Sequence, residues 1–515
     1  MKRLNRLLYS NKLFALIMLL IQVAVFVAIF IWISDYSQAV LGFTTLFSGI
    51  LILFEVNRSG EPTFKMTWIV LIAIIPVFGG LLYLFMRIRT VAWNINENYR
   101  KIQDINKRYL AADRELSKNL AEQDRRENSF IDYLQEYGGS PAYAAGYVEY
   151  YPIGEKMYES MKRELQNAEK FIFMESFIIN TTSRMWREIL QILKSKVSQG
   201  VEVRVLFDAM GCITTMPRGY EEFLQRIGIK CHVFSPIMPL ISTHQNNRDH
   251  RKILVVDGKC AFCGGINIAD EYINEKVRFG HWKDTGFMLR GKGVAGFTSL
   301  FLDMWNVNAE RVEDGGIYIN ATTTTDFPET GKAEGVIVPF GDVPFDDVYT
   351  GKRAYLHNLE SASEYVYIMT PYLVIDNEMF ESMKYAAQRG VNVKIIMPHI
   401  PDKAYAFYLA RTYYRELLRA GIEIYEYTPG FVHAKMSVSD GSRAIVGTIN
   451  HDYRSLYLHY ECAAYMLNVP AIGDIEKDFD ETLAKSQQIT LADLNHFNIF
   501  TRMLGHILRL VAPLL

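Results

Sequence analysis

The feature that most constrains this chain is a short pattern, His-x-Lys-x₄-Asp, that occurs twice. The first copy reads HRKILVVD over residues 250–257, and the second reads HAKMSVSD over residues 433–440. In both copies an asparagine follows the aspartate by ten residues, after a Gly-Gly-Ile or Gly-Thr-Ile step. Agreement at each of these positions indicates a duplicated domain whose two copies carry the same chemical groups.

A strand–helix–strand pattern precedes each copy. Residues 171–179 and 201–208 are β-like runs, separated by an amphipathic helix pattern that ends at Gly200. The same order of patterns recurs over residues 364–398, where Gly390 stands 190 residues after Gly200. Parallel strands joined by a helix form βαβ units, so the fold is predicted to be α/β, with two tandem domains.

The spacing within each copy suits one shared ligand. Residues two apart on a strand share a face, so the histidine and the lysine are predicted to point at the same group. The aspartate falls on the other face of a straight strand and is expected to support the structure around the site. The candidate catalytic residues are His250, Lys252, Asp257, His433, Lys435 and Asp440, with Asn267 and Asn450 as substrate-binding partners.

These residue types fit phosphodiester chemistry. A neutral imidazole can attack phosphorus, and a protonated one can give its proton to the departing alkoxide. Lysines and amide donors stabilise the charge that develops on the phosphoryl oxygens. Two lysines can supply the positive charge that Mg²⁺ supplies in many phosphoryl transferases, so no metal and no cofactor are required.

The N-terminal part of the chain predicts a membrane anchor. Residues 13–33 and 66–86 are uncharged runs long enough to cross a bilayer as helices, and 39–54 is a shorter one. The third run is either a short span or a re-entrant segment, and the number of crossings and their orientation stay open. Net charge is −2, which argues against a nucleic-acid partner. Five sparse cysteines do not form a disulfide framework, which favours a cytoplasmic face for the catalytic part.

The rest of the chain completes the predicted organisation. A charged, helix-favouring stretch follows the anchor and is interpreted as a solvated linker, and the C-terminus has the pattern of an amphipathic helix. Its arginines, Arg502 and Arg509, could lie at lipid headgroups, or the helix could belong to the core. The predicted units are an anchor (1–90), a linker (91–140), a first domain (141–335), a second domain (336–490) and a C-terminal helix (491–515).

These motifs resemble the phospholipase D superfamily, whose mark is the duplicated HxKxxxxD pattern. Within it the chain is similar to the bacterial cardiolipin synthases over almost its whole length. The segments that carry the likeness are 57–85, ESFII (175–179), RDHRKILVVDG (248–258), HWKDTGFMLRG (281–291), TPYLVID (370–376), FVHAKMSVSD (431–440) and ILRLVAPLL (507–515). Two departures are Asp249 and His459, which stand where relatives usually have asparagine.

The resemblance implies a ping-pong reaction between two phosphatidylglycerol molecules at an integral membrane enzyme. One histidine takes the phosphatidyl group and releases glycerol, and the second lipid's hydroxyl then gives cardiolipin. We favour His250 as nucleophile and His433 as acid and base, with the reverse assignment open. Asp284 and Glu461, acidic residues after each motif, resemble the family carboxylates that orient an imidazole. An ordinary surface ion pair is the alternative for those two.

Other functions remain open at this stage. The same groups could serve a hydrolase, either a phospholipase D or a nuclease, although a nuclease would need no anchor. A phosphatidyltransferase that uses a different donor or acceptor is a further possibility. A catalytically inactive membrane scaffold would predict loss of at least one histidine or lysine, and both copies are intact.

Overall fold

The structure is a computed structural model that describes residues 24, 38–87, 90–235, 246–309, 311–323, 335–344, 346–496 and 499–514. The predicted run 13–33 therefore lies outside the described residues, apart from residue 24.

Three apolar helices stand at the beginning of the main described region. They are α1 (Gln38–Asn57), α2 (Pro62–Ile74) and α3 (Pro76–Arg87). The uncharged run 66–86, predicted as one membrane helix, is instead two helices that break at Ile75, because a proline disfavours helical backbone in the residue before it. Among the helices that the structure describes, none is both long and apolar enough to cross a bilayer.

The charged stretch after α3 folds onto the rest of the protein. It forms α4 (Thr90–Lys107), α5 (Arg114–Gln123) and α6 (Arg125–Tyr137). The side chains of Tyr99, Ile102 and Leu134 are buried, so the interpretation as a solvated linker is wrong for the apolar face of these helices. Apolar residues that recur at helical spacing among charged ones form one face of a helix, and that face packs on a neighbouring element. Here Tyr99 belongs to the same hydrophobic core as the sheet of the first domain.

The first half is built on a seven-stranded sheet in the order β2-β9-β7-β6-β3-β4-β5. Its strands are β2 (Tyr147–Tyr151), β3 (Phe171–Ser176), β4 (Glu202–Asp208), β5 (Lys230–Phe234), β6 (Lys252–Val256), β7 (Cys260–Gly264) and β9 (Gly286–Arg290). Its helices are α7 (Gly154–Gln166), α8 (Arg184–Ser198), α9 (Tyr220–Arg226), α10 (Val294–Val307) and α11 (Gly316–Thr323). Strands β3, β4 and β5 are parallel, as the βαβ pattern predicted, and β6 joins β3 antiparallel.

The second half is a nine-stranded sheet in the order β1-β10-β19-β17-β16-β11-β13-β14-β20. Its strands are β1 (Tyr143–Ala144), β10 (Val336–Asp342), β11 (Tyr365–Met369), β13 (Asn392–Pro398), β14 (Glu423–Tyr427), β16 (Met436–Ser439), β17 (Arg443–Gly447), β19 (Glu461–Leu467) and β20 (Ser486–Ile489). Its helices are α12 (Thr350–Ser361), α13 (Asn377–Gln388), α14 (Ala404–Arg419), α15 (Tyr453–Tyr457) and α16 (Ala471–Leu483). Strand β1 falls within the predicted first domain by sequence but lies at the edge of this second sheet.

Two short parallel strand pairs lie outside the two large sheets. They are β8 (His281–Lys283) with β15 (Gly430–Val432), and β12 (Leu373–Val374) with β18 (His451–Asp452). The β8–β15 pair joins the halves, with Trp282 opposite Phe431, and a β-bridge between Asp249 and Tyr460 joins them at the corresponding place. The two copies of the duplicated sequence thus form two halves that pack against each other through an interface.

The interface between the sheets is apolar. Cys263 on β7 lies 3.6 Å, sulfur to sulfur, from Cys462 on β19, within a core that contains strands of both halves. Cys260, three residues earlier, belongs to a different core on the other face of the first sheet. The two cysteines therefore face opposite ways, as residues three apart on a strand do, and all five cysteines are free thiols.

The chain ends in helix α17 (Ile499–Val511). Arg509 lies over the ring of Tyr413 at 4.4 Å and 3.9 Å from Glu416, so one face of the helix packs on α14, and contact of its arginines with lipid headgroups stays a prediction. The side chain of Arg502 lies outside the described residues. The other face of α17 exposes Met503, Leu504 and Ile507.

Candidate active site

The two histidine–lysine pairs meet where the halves join. Each lysine begins or immediately precedes a central strand, β6 for Lys252 and β16 for Lys435. The backbone amide of each histidine donates to a carbonyl of the other half: His250 to Tyr460 (2.9 Å) and His433 to Lys283 (2.7 Å). Both imidazoles therefore depend on the opposite half for their position.

Each imidazole is also paired with a carboxylate that belongs to the other half. Nδ1 of His250 lies 2.8 Å from Glu461 of the second half, and Nδ1 of His433 lies 2.7 Å from Asp284 of the first half. All four residues are buried. A carboxylate accepts the Nδ1–H and leaves Nε2 with a lone pair that can attack or take a proton. Both residues are thus imidazole partners in this structure, and the surface ion-pair alternative does not hold.

The site makes both imidazoles poor bases. Burial, followed by the charges of Lys252 and Lys435, lowers the pKa of His250 well below its usual value. Burial and Lys435 lower the pKa of His433 to about 4, although Asp284 opposes the shift. Near neutral pH both rings are therefore neutral before a ligand binds, which is the form that a nucleophile requires.

The lysines are the complementary charges. Burial is the main cause that lowers the pKa of Lys435 to about 7, and it also lowers the pKa of Lys252. Burial alone would raise the pKa of Asp284, but His433 and Lys435 bring it below its usual value. A bound phosphate anion would stabilise both ammonium groups in a site that excludes water.

The aspartates of the two motifs do not reach this site. Asp257 follows the far end of β6 and accepts the backbone amides of Glu169, Lys170 and Phe171 at 2.7–2.9 Å. Asp440 accepts the corresponding three amides in the second half, from Ser363, Glu364 and Tyr365. Their grouping with the catalytic residues is corrected by this geometry, because strands β6 and β16, of five and four residues and so roughly 13–17 Å long, separate them from the histidines. They anchor the loops before β3 and β11.

The two asparagines are not equivalent. Asn267 accepts the amide of Ile178 at 3.0 Å and donates to the hydroxyl of Tyr272 at 2.8 Å, so both ends of its amide hold the first half together. Asn450 is buried too, but its Oδ1 has no hydrogen-bond partner among the described residues. Of the two asparagines, Asn450 is the one that presents an uncommitted acceptor of the kind that a ligand hydroxyl would satisfy.

The structure adds residues that the sequence pattern did not single out. The Thr448 hydroxyl donates to Glu461 and holds that carboxylate against His250. The corresponding position in the first half is Gly265, where a Cβ atom would lie 2.0 Å from Oδ1 of Asp284. The asparagine that ends each Gly-x-x-Asn step is the predicted substrate-binding residue. The second residue of the step contacts the carboxylate beside the histidine, and it is Gly265 in the first copy and Thr448 in the second. This difference between the two copies is visible in the sequence.

A buried acidic pair, Glu175 and Asp249, lies close to Arg251, which stands between His250 and Lys252 in sequence. Desolvation and the neighbouring Asp249 raise the pKa of Glu175 well above its usual value, and burial raises the pKa of Asp249 to about 6. Arg251 lies in the same layer and donates to the carbonyl of Glu461 and to the hydroxyl of Tyr99 on α4. This layer connects the charged helices after the N-terminal segment to the carboxylate that orients His250.

One group of side chains has metal-ligand character. Donor atoms of His250, His459 and Glu461 all lie within 4.8 Å of one another. Lys252 carries a positive charge that acts on Glu461, and the ammonium of Lys435 also lowers the pKa of His250. Cations beside the same carboxylate oppose a divalent ion there, so the donor set fits an anionic ligand better.

The chain matches two family models. One, described as "Cardiolipin synthase, PLD-like domain", covers residues 161–277 and 355–483, which contain both motifs. The other, described as "Phospholipase_D-nuclease N-terminal", covers residues 45–87.

Full-length relatives and a solved structure agree with these matches. An uncharacterized protein of Streptococcus mutans is 46 % identical over 90 % of this chain and 99 % of its own length. The cardiolipin synthase of Alkalihalophilus pseudofirmus is 30 % identical over 94 % of this chain and 95 % of its own length. The structure of phosphatidylserine synthase from Haemophilus influenzae superposes with a TM-score of 0.57 at 14 % identity, covering 76 % of this chain and 99 % of that one. This last likeness concerns the fold alone.

Proposed function

The chain belongs to the phospholipase D-like cardiolipin synthase family, and from that premise we propose that it converts two phosphatidylglycerol molecules into cardiolipin and glycerol. It is a phosphatidyltransferase. The observation that best supports a transfer mechanism is that each histidine is paired with a carboxylate of the other half. This arrangement places two neutral imidazoles in one lysine-lined site.

In the first step, His250 attacks the phosphorus of one phosphatidylglycerol through Nε2. A P–N bond forms, the bond from phosphorus to the glycerol oxygen breaks, and a proton from His433 completes the glycerol. His433 must therefore be protonated when the lipid is bound. The phosphodiester carries a negative charge that opposes the lysine charges, so lipid binding raises the pKa of His433 from about 4 toward the working range.

In the second step, the terminal hydroxyl of another phosphatidylglycerol attacks the phosphatidyl-histidine. A P–O bond forms, the P–N bond to His250 breaks, and the hydroxyl proton moves to His433. Both steps use one site, and the enzyme returns to its starting state. Asn450 accepts a glycerol hydroxyl through its uncommitted Oδ1.

Lys252 and Lys435 hold the non-bridging oxygens of the phosphate. Both lysines are nearly fully buried beside the histidines, so their charges act in a medium of low dielectric constant. Each would stabilise the charge that develops in the two transition states without the reorganisation that water requires. Asp257, Asp440 and Asn267 act on loop positions and not on the lipid.

The membrane attachment belongs to the same proposal. Phospholipid substrates reside in a bilayer, and residues 45–87 match the N-terminal model of the family. We place the uncharged N-terminal runs in the cell membrane as an integral, multi-pass anchor, and the catalytic halves on its cytoplasmic face. Protease treatment of sealed vesicles is the test: digestion of the catalytic halves in inverted but not in right-side-out vesicles supports this orientation, and the reverse contradicts it.

Product analysis tests the reaction itself. Membranes that contain the full chain are incubated with phosphatidylglycerol labelled in both the acyl and the glycerol parts. We expect labelled cardiolipin and free glycerol in equal amounts, and loss of both in His250→Ala and in His433→Ala. Phosphatidic acid as the sole lipid product would show hydrolysis instead, and full activity in either variant would contradict a shared site.

A further inference from the structure

A half-open cavity lies in the second half, between helix α14 and the segment that carries β18 and α15. Its polar lining includes Lys403, Asp452 and Arg454, and its apolar lining includes Val374, Leu409 and Ala512. A cavity lined by both charged and apolar side chains fits an amphiphile.

The cavity adjoins the catalytic site. Asp452 lies two residues after Asn450 on β18, which pairs with β12 so that Val374 stands opposite Asp452. The charge of Lys403 is among those that lower the pKa of His250, and the charge of Asp452 is among those that raise the pKa of Lys435. A molecule in the cavity is therefore within electrostatic reach of both reacting pairs.

The positively charged side chains of the cavity could bind a second phosphate group. The phosphate that reacts is held by Lys252 and Lys435, so it does not use Lys403. The Lys403 ammonium is exposed and lies 5.0 Å above the ring of Tyr372, and among the described residues it pairs with no carboxylate within 4.0 Å. In a reaction between two phosphatidylglycerols, the acceptor brings a phosphate of its own, one glycerol away from the reacting one.

The apolar side of the cavity continues onto a surface suited to acyl chains. Ala512 follows directly after α17, whose outer face exposes Met503, Ile507 and Leu510. Helix α2 lies beside it, since the hydroxyl of Thr67 donates to the carbonyl of Leu510. An acceptor lipid can thus place its chains against this surface while its headgroup enters the cavity.

We propose that this cavity is the binding site of the acceptor phosphatidylglycerol, with Lys403 and Arg454 at its phosphate and Val374, Leu409 and Ala512 against its glycerol backbone and first acyl carbons. The proposal rests on the function proposed above. The acceptor's terminal hydroxyl reaches phosphorus past Asp452 and Asn450; its oxygen bonds to phosphorus as the bond to His250 breaks, and its proton goes to His433.

The test separates the two half-reactions with the full chain in phosphatidylglycerol–detergent micelles. Exchange of labelled free glycerol into phosphatidylglycerol requires the phosphatidyl-histidine but no acceptor phosphate, whereas cardiolipin formation requires both. For Lys403→Gln we expect cardiolipin formation per exchange event to fall roughly tenfold or more, as loss of a charge-assisted contact implies. Lys194→Gln on α8 removes the same charge from a site in the other half and is expected to change neither rate.

A second variant tests the space itself. Ala406 lines the cavity, so Ala406→Phe narrows it, and retained glycerol exchange shows that the variant is folded. Loss of cardiolipin formation with retained exchange supports the acceptor site. An equal fall of both rates in Lys403→Gln and Ala406→Phe would assign the cavity to the donor and overturn the proposal. Unchanged rates in both variants would overturn it too. A wild-type enzyme that performs neither reaction would instead contradict the proposed function, and the acceptor site with it.

Discussion

At the scale of single residues, the site depends on partners that lie far apart in sequence. His250 and Glu461 are 211 residues apart, and His433 and Asp284 are 149 apart. Each pair gives its imidazole a fixed tautomer and orientation, the role that a buried carboxylate has in other histidine-based catalytic sites. The two pairs have similar geometry but different roles in the proposed reaction, so they can be separated by experiment.

A substrate with a reactive leaving group makes that separation. Phosphatidyl-p-nitrophenol needs no proton for its leaving group, so only the nucleophile and its carboxylate are required for release of the phenolate. We expect Asp284→Asn to retain a burst of p-nitrophenolate and Glu461→Gln to lose it by a factor on the order of 10²–10⁴, measured by stopped-flow absorbance. The opposite pattern would make His433 the nucleophile. Glu127→Gln, which alters a carboxylate–histidine pair outside the site, is the matched control.

The buried lysine gives a prediction for pH. Because the pKa of Lys435 is lowered to about 7, the free enzyme holds an ammonium there below that pH and a neutral amine above it. The neutral amine loses its charge-assisted contact with phosphate, so kcat/KM for phosphatidylglycerol is expected to fall as pH rises through about 7. Arginine stays protonated, so in Lys435→Arg this alkaline fall moves out of the range or disappears. The same fall at the same pH in Lys435→Arg would contradict the assignment to Lys435.

At the scale of helices and strands, α4 connects the N-terminal part to the site. Tyr99 on α4 accepts a hydrogen bond from Arg251, and Arg251 donates in turn to the carbonyl of Glu461. The guanidinium is fully buried, so each of its partners matters for the free energy of folding. The helix therefore supports the strand that presents Glu461 to His250.

Removal of one hydroxyl tests this connection. Tyr99→Phe leaves one Arg251 donor without its partner, and we expect the free energy of unfolding to fall by about 1–3 kcal/mol. Denaturant unfolding followed by tryptophan fluorescence measures it. Tyr109→Phe removes an exposed hydrogen bond to Asp314 from the residues just after the same helix and is expected to cost much less. Equal losses in the two variants would show that the Arg251 contact has no special weight.

How far the sequence predicts this structure depends on the range of the contacts. The βαβ units, the position of each His and Lys and the opposed faces of Cys260 and Cys263 follow from local periodicity, which fixes strand faces. The break at Ile75 was signalled by Pro76, but the length of the uncharged run outweighed it. The exchange of Asp284 and Glu461 between halves has no local signal, because it arises only when two similar domains pack together. The hydrogen bonds of Asn267 to Ile178 and Tyr272 likewise depend on tertiary contacts that a short motif does not specify.

At the scale of the whole molecule, the two halves form one site and are held together around it. Lys283, next to Asp284, lies 2.7 Å from Asp478 of the second half, and both side chains are buried. The β8–β15 pair and the bridge from Asp249 to Tyr460 add backbone contacts at the same interface. Each of the two catalytic imidazoles takes its carboxylate from the other half, so the duplicated sequence is predicted to supply a single active site per chain.

The measurement that tests this account most directly is the number and position of covalent phosphatidyl groups per chain. Enzyme mixed with acyl-labelled phosphatidylglycerol is quenched in milliseconds, digested and analysed by mass spectrometry. The account predicts at most one phosphatidyl group per chain, bound to His250, and none in Glu461→Gln. Labelling of both His250 and His433 in the same chain, or cardiolipin formation by a chain that never carries the adduct, would contradict it.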